Sequence, residues 1–288
     1  MDNTHPLFSI LIANYNNGKY LMDAINSVRQ QTYTNWEIII VDDCSTDDSR
    51  EVYQTLEQDP QIHIYYNEQN LGCGYTKRRC AELAQGELCG FLDPDDALLP
   101  EALEVMVKAH AEHPEVSLIG SCYWATDEQL NPQWHTELTV LPEGGDWLTT
   151  TTTTHHPIPF ASYKRKVYKM TDGIDPMIKR AVDFDCYVRL EEKGPILFLS
   201  NITYLYRQHT NQISTHGDCK SLYWQCYVLT NACRRRGIAP DELANQLIMD
   251  NIDWYYCNAK GIPFSQKRTP FHKRLIRKCK KILKNILK

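Results

Sequence analysis

The stretch "FSILIANYNNGKYLMDAINSVRQQTYTNWEIIIVDD" (8–43) decides how the chain is organised. Two apolar runs rich in Ile and Val, 7–14 and 36–43, bracket a segment with helical periodicity, 19–31. Short apolar runs without polar alternation fit strands covered on both faces, which is the situation in a parallel sheet. A strand, a helix and a second strand in this order predict a βαβ unit. Working outward, "IHIYY" (62–66) and "LCGFLD" (88–93) read as further strands, with helices over 47–58 and 75–85. "CSTDDS" predicts the start of the first of these helices, with Ser45 or Thr46 as its cap. A helix follows from Pro100 to about His113, then a strand over 116–124. Residues 125–160, with "TTTTTTHHP" among them, read as loop and edge structure. A helix over 183–193 ends at Gly194-Pro195, a strand covers 196–207, and the pattern is helical from about 219 onward. The fold class is therefore α/β: a mostly parallel central sheet flanked by helices, with a helical extension at the C-terminus.

Composition narrows the function. The 288 residues are 42% hydrophobic and 23% charged, enough for one large core or two modest domains. No apolar run approaches the roughly 20 residues that cross a bilayer, and the start lacks the basic segment of a signal peptide. Eleven scattered cysteines without a CxxC pair fit reduced thiols in a cytosolic setting better than a disulfide framework or a structural zinc site. The net charge of −5 conceals an asymmetry: from Phe264 to the end there are ten Lys or Arg and no acid, which leaves 21 basic against 36 acidic residues elsewhere.

Ligands of open α/β sheets bind outside the carboxyl ends of the strands, and polar residues collect at those ends here. The first strand ends in Asn14-Tyr15-Asn16-Asn17, the second in Asp42-Asp43 and the fourth in Asp93-Pro94-Asp95-Asp96, while Asn67, Asn70 and Gly72 follow the third. Turn chemistry alone accounts for one such end; several on one edge predict a site. Closely spaced carboxylates suit a hard divalent cation, Mn²⁺ or Mg²⁺, that takes its remaining ligands from substrate phosphates. An EF-hand is excluded, because Leu98 stands where its loop needs Gly. Neither a Walker A loop nor GxGxxG occurs. A phosphatase with Asp93 as nucleophile, or a nucleotidyltransferase using the same carboxylates, remains an alternative. The phosphatase motif normally sits at the first strand, and no Gly-rich, Arg-containing loop follows the first strand for the nucleotidyltransferase.

The opening 8–49, together with "NLGCGYTKRRCAELAQGELCGFLDPDD" (70–96), resembles family 2 glycosyltransferases, in order and over residues 7–110. The resemblance implies a GT-A fold and an inverting, metal-dependent transfer of one sugar from a nucleotide-sugar, a UDP-sugar by preference. Residues 1–218 would form the transferase domain, with about 1–110 as donor half and 111–218 as acceptor half; 219–288 would form the helical region. Carried across by residue, the resemblance implies that Tyr15 stacks on the base and Asp43 accepts a hydrogen bond from it. It further implies that Asp93 lies near the ribose and Asp95 binds the metal, while Lys77 helps hold the nucleotide. Ala13, Asn70 and Gly72 complete the donor set. "AVDFDCYVRL" (181–190) is similar to a segment written ED-x-x-x-x-x-R-L, whose aspartate is the catalytic base, here Asp183. Val182 replaces the glutamate, a departure that leaves a catalytically silent binding protein as a further alternative. Asp185 lies about 200° around the helix from Asp183, so the two face different ways. In "YRQHTNQIS" (206–214), Arg207 is placed at the diphosphate and His209 at the metal. The processive members' Q-x-x-R-W motif and membrane-spanning helices are missing from this sequence, which implies one sugar per event.

The tail "FHKRLIRKCKKILKNILK" (271–288) repeats apolar residues at spacings of three and four, with Lys and Arg between them. A basic amphipathic helix of this kind fits an anionic membrane surface. The expected setting is cytoplasmic, peripheral on the inner face of the membrane, beside a glycan or lipid-linked acceptor. Nucleic acid is not expected as a partner, because the basic residues lack interleaved aromatics and the rest of the chain is acidic.

Overall fold

A computed structural model describes residues 5–136, 148, 159–210, 219–241 and 243. The first part is a regular alternation: β1 (Phe8–Asn14), α1 (Gly18–Arg29), β2 (Trp36–Asp42), α2 (Ser49–Gln54), β3 (Ile62–Tyr66), α3 (Cys73–Leu83) and β4 (Leu88–Phe91). It continues through β5 (Ala97–Leu98), α4 (Ala102–Glu112), β6 (Leu118–Thr126), β7 (Pro132–His135), β8 (Ala161–Lys164) and α5 (Arg165–Tyr168). The last elements are α6 (Val182–Glu191), β9 (Ile196–Arg207) and α7 (Cys219–Arg236). The tail 271–288 lies outside the described residues.

One sheet runs in the order β3-β2-β1-β4-β8-β6-β9-β5, with β7 paired to β6. β1, β2, β3 and β4 are all parallel to their neighbours among themselves, and β9 is parallel to β6. β8 is antiparallel to both β4 and β6, and so joins the two halves of the sheet. The apolar runs behave as two-faced strands. Phe8, Ile10, Ile12, Ile38 and Ile40 pack into a core with Leu21, Ile25 and Val28 of α1 and Leu103 and Met106 of α4. The alternate residues Leu11, Ile39 and Val41 point into a second core with Cys80 and Ala81 of α3, Val188 of α6 and Val228 of α7. Every residue of β2 is buried.

One local expectation is corrected. α2 starts at Ser49, with Asp48 rather than Ser45 or Thr46 at the cap. Ser45 Oγ instead accepts the Asn16 amide at 3.0 Å, so the polar cluster closes the β1 and β2 loops on each other. β8, just beyond the 125–160 stretch read as loop and edge, is a buried central strand that the sequence reading did not anticipate.

Candidate active site

β1, β2 and β4 end side by side, and the strand period decides what each terminal residue meets. Asp42 points inward, accepting the Tyr53 hydroxyl at 2.7 Å and the Ser45 amide at 2.8 Å, beside Asn14. Asp43, its successor on the opposite face, accepts the Asn67 side chain at 2.7 Å and the amides of Leu71 and Gly72 at 2.9 and 2.8 Å. Asp43 thus shapes the loop 67–72 that opens α3. Gly72 has a φ of +91°, a conformation that suits glycine. Tyr15 stands at the end of β1 with 46% of its surface open, a large ring left facing solvent beside this loop's strand edge. Ala13 is half-buried against the second core, and Asn70 is exposed.

The β4 end carries the carboxylate cluster, and each carboxylate has a separate partner. Lys77 Nζ of α3 donates to Asp93 at 2.9 Å. Asp95 Oδ2 meets His209 Nε2 at 2.9 Å. Asp96 is fully buried, accepting the Tyr204 hydroxyl and the Arg207 amide, both at 2.7 Å. The cap position of α4 is held by Glu101. Burial raises the pKa of Asp96 well above the carboxylate range, with Asp95 and Asp93 adding to the shift. Asp95 is raised too, by burial first and the Asp93 charge second, with His209 opposing.

Arg207 is buried and acts as a brace. Its guanidinium donates to Asp23 at 2.6 Å, to the Asp95 carbonyl at 2.5 Å and to the Glu128 carbonyl, and it lies 4.6 Å from the Tyr20 ring centroid. The same ring stands 4.9 Å from that of His209. The guanidinium's hydrogen bonds tie Arg207 to the loop after β4 and to α1. Tyr20, Asp23, Glu128 and Tyr204 all serve this corner, and sequence reading did not find them. Their partners lie 79 or more residues away, and no spacing signals such pairs.

Asp183 arrives from the other half of the chain. The segment before α6 packs on the first turn of α3, where the Gly74 amide donates to the Ile178 carbonyl at 3.0 Å. A Cβ on Gly74 would stand 2.3 Å from that oxygen, so this docking needs glycine. Ala181 then turns into α6 with a left-handed φ of +57°, a conformation costing about 1 kcal/mol for a residue with a side chain. Asp183 consequently accepts the second bond from Lys77, at 2.7 Å. It lies in the first turn of α6, where the helix dipole favours the ionised form. Burial of the site nonetheless raises its pKa, with Lys77 opposing and Asp93 adding to the rise. Asp185 faces elsewhere, paired with Arg189 at 2.9 Å and accepting the Asp175 amide at 2.9 Å.

The donor set at Asp95 and His209 fits a hard divalent cation. One carboxylate oxygen and one imidazole nitrogen stand 2.9 Å apart, close to the roughly 3 Å between adjacent donors on an octahedral ion with 2.0–2.1 Å bonds. Among the described residues no group of three or more His, Cys, Asp or Glu gathers for a metal. The pair thus suits an ion whose other ligands come from a substrate.

An open α/β sheet with carboxylates, an exposed ring and an imidazole at the carboxyl edge of its strands belongs to the nucleotide-binding class of α/β proteins. Within that class the chain is a member of Glycosyl transferase family 2, whose sequence model matches residues 9–171. It is 30% identical over 207 residues to a chondroitin synthase of Escherichia coli, covering 69% of this chain and 28% of that protein. The chain spans under a third of the length of the first relatives it matches. Its fold is that of S. aureus TarS 1-349, solved in complex with UDP-GlcNAc: the TM-score is 0.64 at 19% identity, over 92% of this chain and 77% of that one. It is also similar to a mannosyltransferase from Pyrobaculum calidifontis in complex with GDP-Man and Mn²⁺, with a TM-score of 0.57 at 14% identity, over 81% and 64% of the two chains. The GT-A fold expected from the sequence is the observed one. Family membership removes the phosphatase and nucleotidyltransferase readings.

Proposed function

We propose that the chain transfers a single sugar, with inversion, from a UDP-sugar to a hydroxyl of a glycan or lipid-linked acceptor in polysaccharide synthesis. The observation that carries this reading is the meeting of Asp183 with the donor edge, where it shares Lys77 with Asp93. Tyr15 offers an open face to the base, and Asp93 a carboxylate to the ribose. Asp43 would act through the loop it shapes, which brings Asn70 and Gly72 to the donor. Asp95 and His209 would hold Mn²⁺ or Mg²⁺, which supplies positive charge to the departing diphosphate. Arg207 holds this corner in place.

Asp183 then takes the proton of the acceptor hydroxyl as its oxygen bonds to the anomeric carbon. The bond from that carbon to the diphosphate breaks, and its electron pair leaves with the nucleoside diphosphate. A raised proton affinity suits a carboxylate to this work at neutral pH, provided that it stays ionised. One base without a second nucleophilic carboxylate implies a single displacement.

No described helix is long and apolar enough to cross a membrane. Attachment to the cytoplasmic face through 271–288 is part of the proposal and rests on the spacing of apolar and basic residues there. Deleting 271–288 should release the protein from anionic vesicles; equal sedimentation with and without the tail would refute the attachment. The transfer function is tested by screening nucleotide sugars for thermal stabilisation with Mn²⁺. A UDP-sugar should raise the melting temperature in a concentration-dependent way, and no response across the panel would overturn the reading.

A further inference from the structure

We infer that Lys77 is a positioning residue: it lies beneath Asp93 and Asp183, aims the base at the donor edge, and does not itself touch the nucleotide. The inference rests on the transfer reading above for the role of Asp183, and it replaces the donor contact that resemblance implies for Lys77. The carrying observation is a difference in exposure. The Lys77 side chain is 6% exposed, whereas Asp93 and Asp183 are 36% and 41% exposed. The carboxylates therefore face the crevice and the ammonium lies under them. Two of its three N–H donors go to these carboxylates at 2.9 and 2.7 Å, and the Phe91 ring centroid lies 5.2 Å from Nζ.

The arrangement ties two distant parts of the chain. Asp93 follows β4 in the first half of the sheet and Asp183 opens α6 in the second, while Lys77 of α3 bonds to both. The oxygens bound to Nζ can be no farther apart than the two bonds together allow. This limit holds the base against the ribose side of the site, as near-attack geometry requires. The charge matters as well as the position. Other titratable groups facing Asp183 are Cys73 of α3 and, on its own helix, Cys186 and Tyr187. Arg180, on the approach to α6, donates to Ser221 of α7. Lys77 is thus the cation that offsets the repulsion between Asp93 and Asp183, and burial, which alone would discharge it, is outweighed by these two carboxylates.

The test follows the ionisation of Asp183 directly, by carbon NMR of labelled Asp carboxyls in the full chain, with Asp183→Asn identifying the resonance. In K77M the Asp183 midpoint should move to higher pH, and K77R should return it towards the native value. Turnover at neutral pH should fall about 100-fold in K77M, with the acid limb of its pH profile moved the same way. Binding of UDP with Mn²⁺, read by calorimetry, should weaken by less than about tenfold. Asp93→Asn provides a second route if K77M does not fold: with one competing carboxylate neutral, the Asp183 midpoint should move to lower pH. An unmoved midpoint in both variants would overturn the inference, as would loss of UDP binding in K77M with the Asp183 titration unchanged. If the native chain bound no nucleotide diphosphate, the transfer reading would fail while the titration still decided the role of Lys77.

Discussion

The two halves of the sheet are built on different plans. β1, β2 and β3 are each followed by a helix, and β1 to β4 pair in parallel with one another. Beyond β4 the pairings are mixed, and β8 inserts between β4 and β6 from far along the chain. In the proposed function the first half is a fixed edge for a donor, and the second brings side chains to it: Asp183 from α6, and Arg207 and His209 from the end of β9. The family match runs past this division, through β8, yet its residues 9–171 stop short of all three. Donor binding should therefore depend on the first half, with the metal corner shared, and chemistry on the second.

The strongest way to break that division is Asp183→Asn. Turnover should fall about 1,000-fold, while UDP binding with Mn²⁺, measured by calorimetry, stays unchanged. Loss of binding instead would place Asp183 with the donor. Asp95→Ala should weaken Mn²⁺-dependent binding of UDP about 100-fold, since His209 alone is a poor ligand set; equal affinity with and without Mn²⁺ in the native chain would remove the metal from the site. Asp43→Ala sharpens the division from within the first half. It leaves the Leu71 and Gly72 amides without their acceptor, and should cost about 2 kcal/mol in urea unfolding together with donor affinity. Tyr15→Ala, at an exposed ring, should weaken UDP binding about tenfold, the loss of one base stack, and leave the melting temperature alone.

A pH-dependent effect belongs to the second half's own cohesion. His110 of α4 meets Ser162 of β8 at 2.9 Å, and burial, with Lys164 adding, lowers its pKa to about 3 from 6.5. The folded state keeps it neutral while the unfolded chain protonates it. Its contribution is whole above pH 6.5 and declines as pH falls towards 3, by at most about 1.4 kcal/mol per unit. Urea midpoints between pH 7 and 4 should fall less steeply in His110→Gln than in the native protein; parallel curves would remove His110 from the acid response.

Legibility followed the same line. β1 to β4 and α1 to α4 were readable because burial on two faces leaves apolar runs, and one-sided helices repeat at three and four. Their polar termini marked one edge of the sheet. β8 was not readable: four residues, Ala161–Lys164, carry too little pattern, and its strand character comes from the ladders on either side. Among the carboxylates, the cluster after β4 was visible as a group, yet its members differ in fate. Asp93 meets Lys77, Asp95 meets His209, and Asp96 disappears into the fold beneath Tyr204 and Arg207.

Sequence alone determined that this chain folds around a parallel sheet and gathers its chemistry at the carboxyl edge, since both follow from periodicities that neighbouring residues impose on one another. Only the tertiary structure decided which carboxylate answers to which partner. Lys77 and Asp183 are 106 residues apart, and no local period records such a pair. It forms because α6 docks on the first turn of α3, at a glycine with no side chain to hold it off.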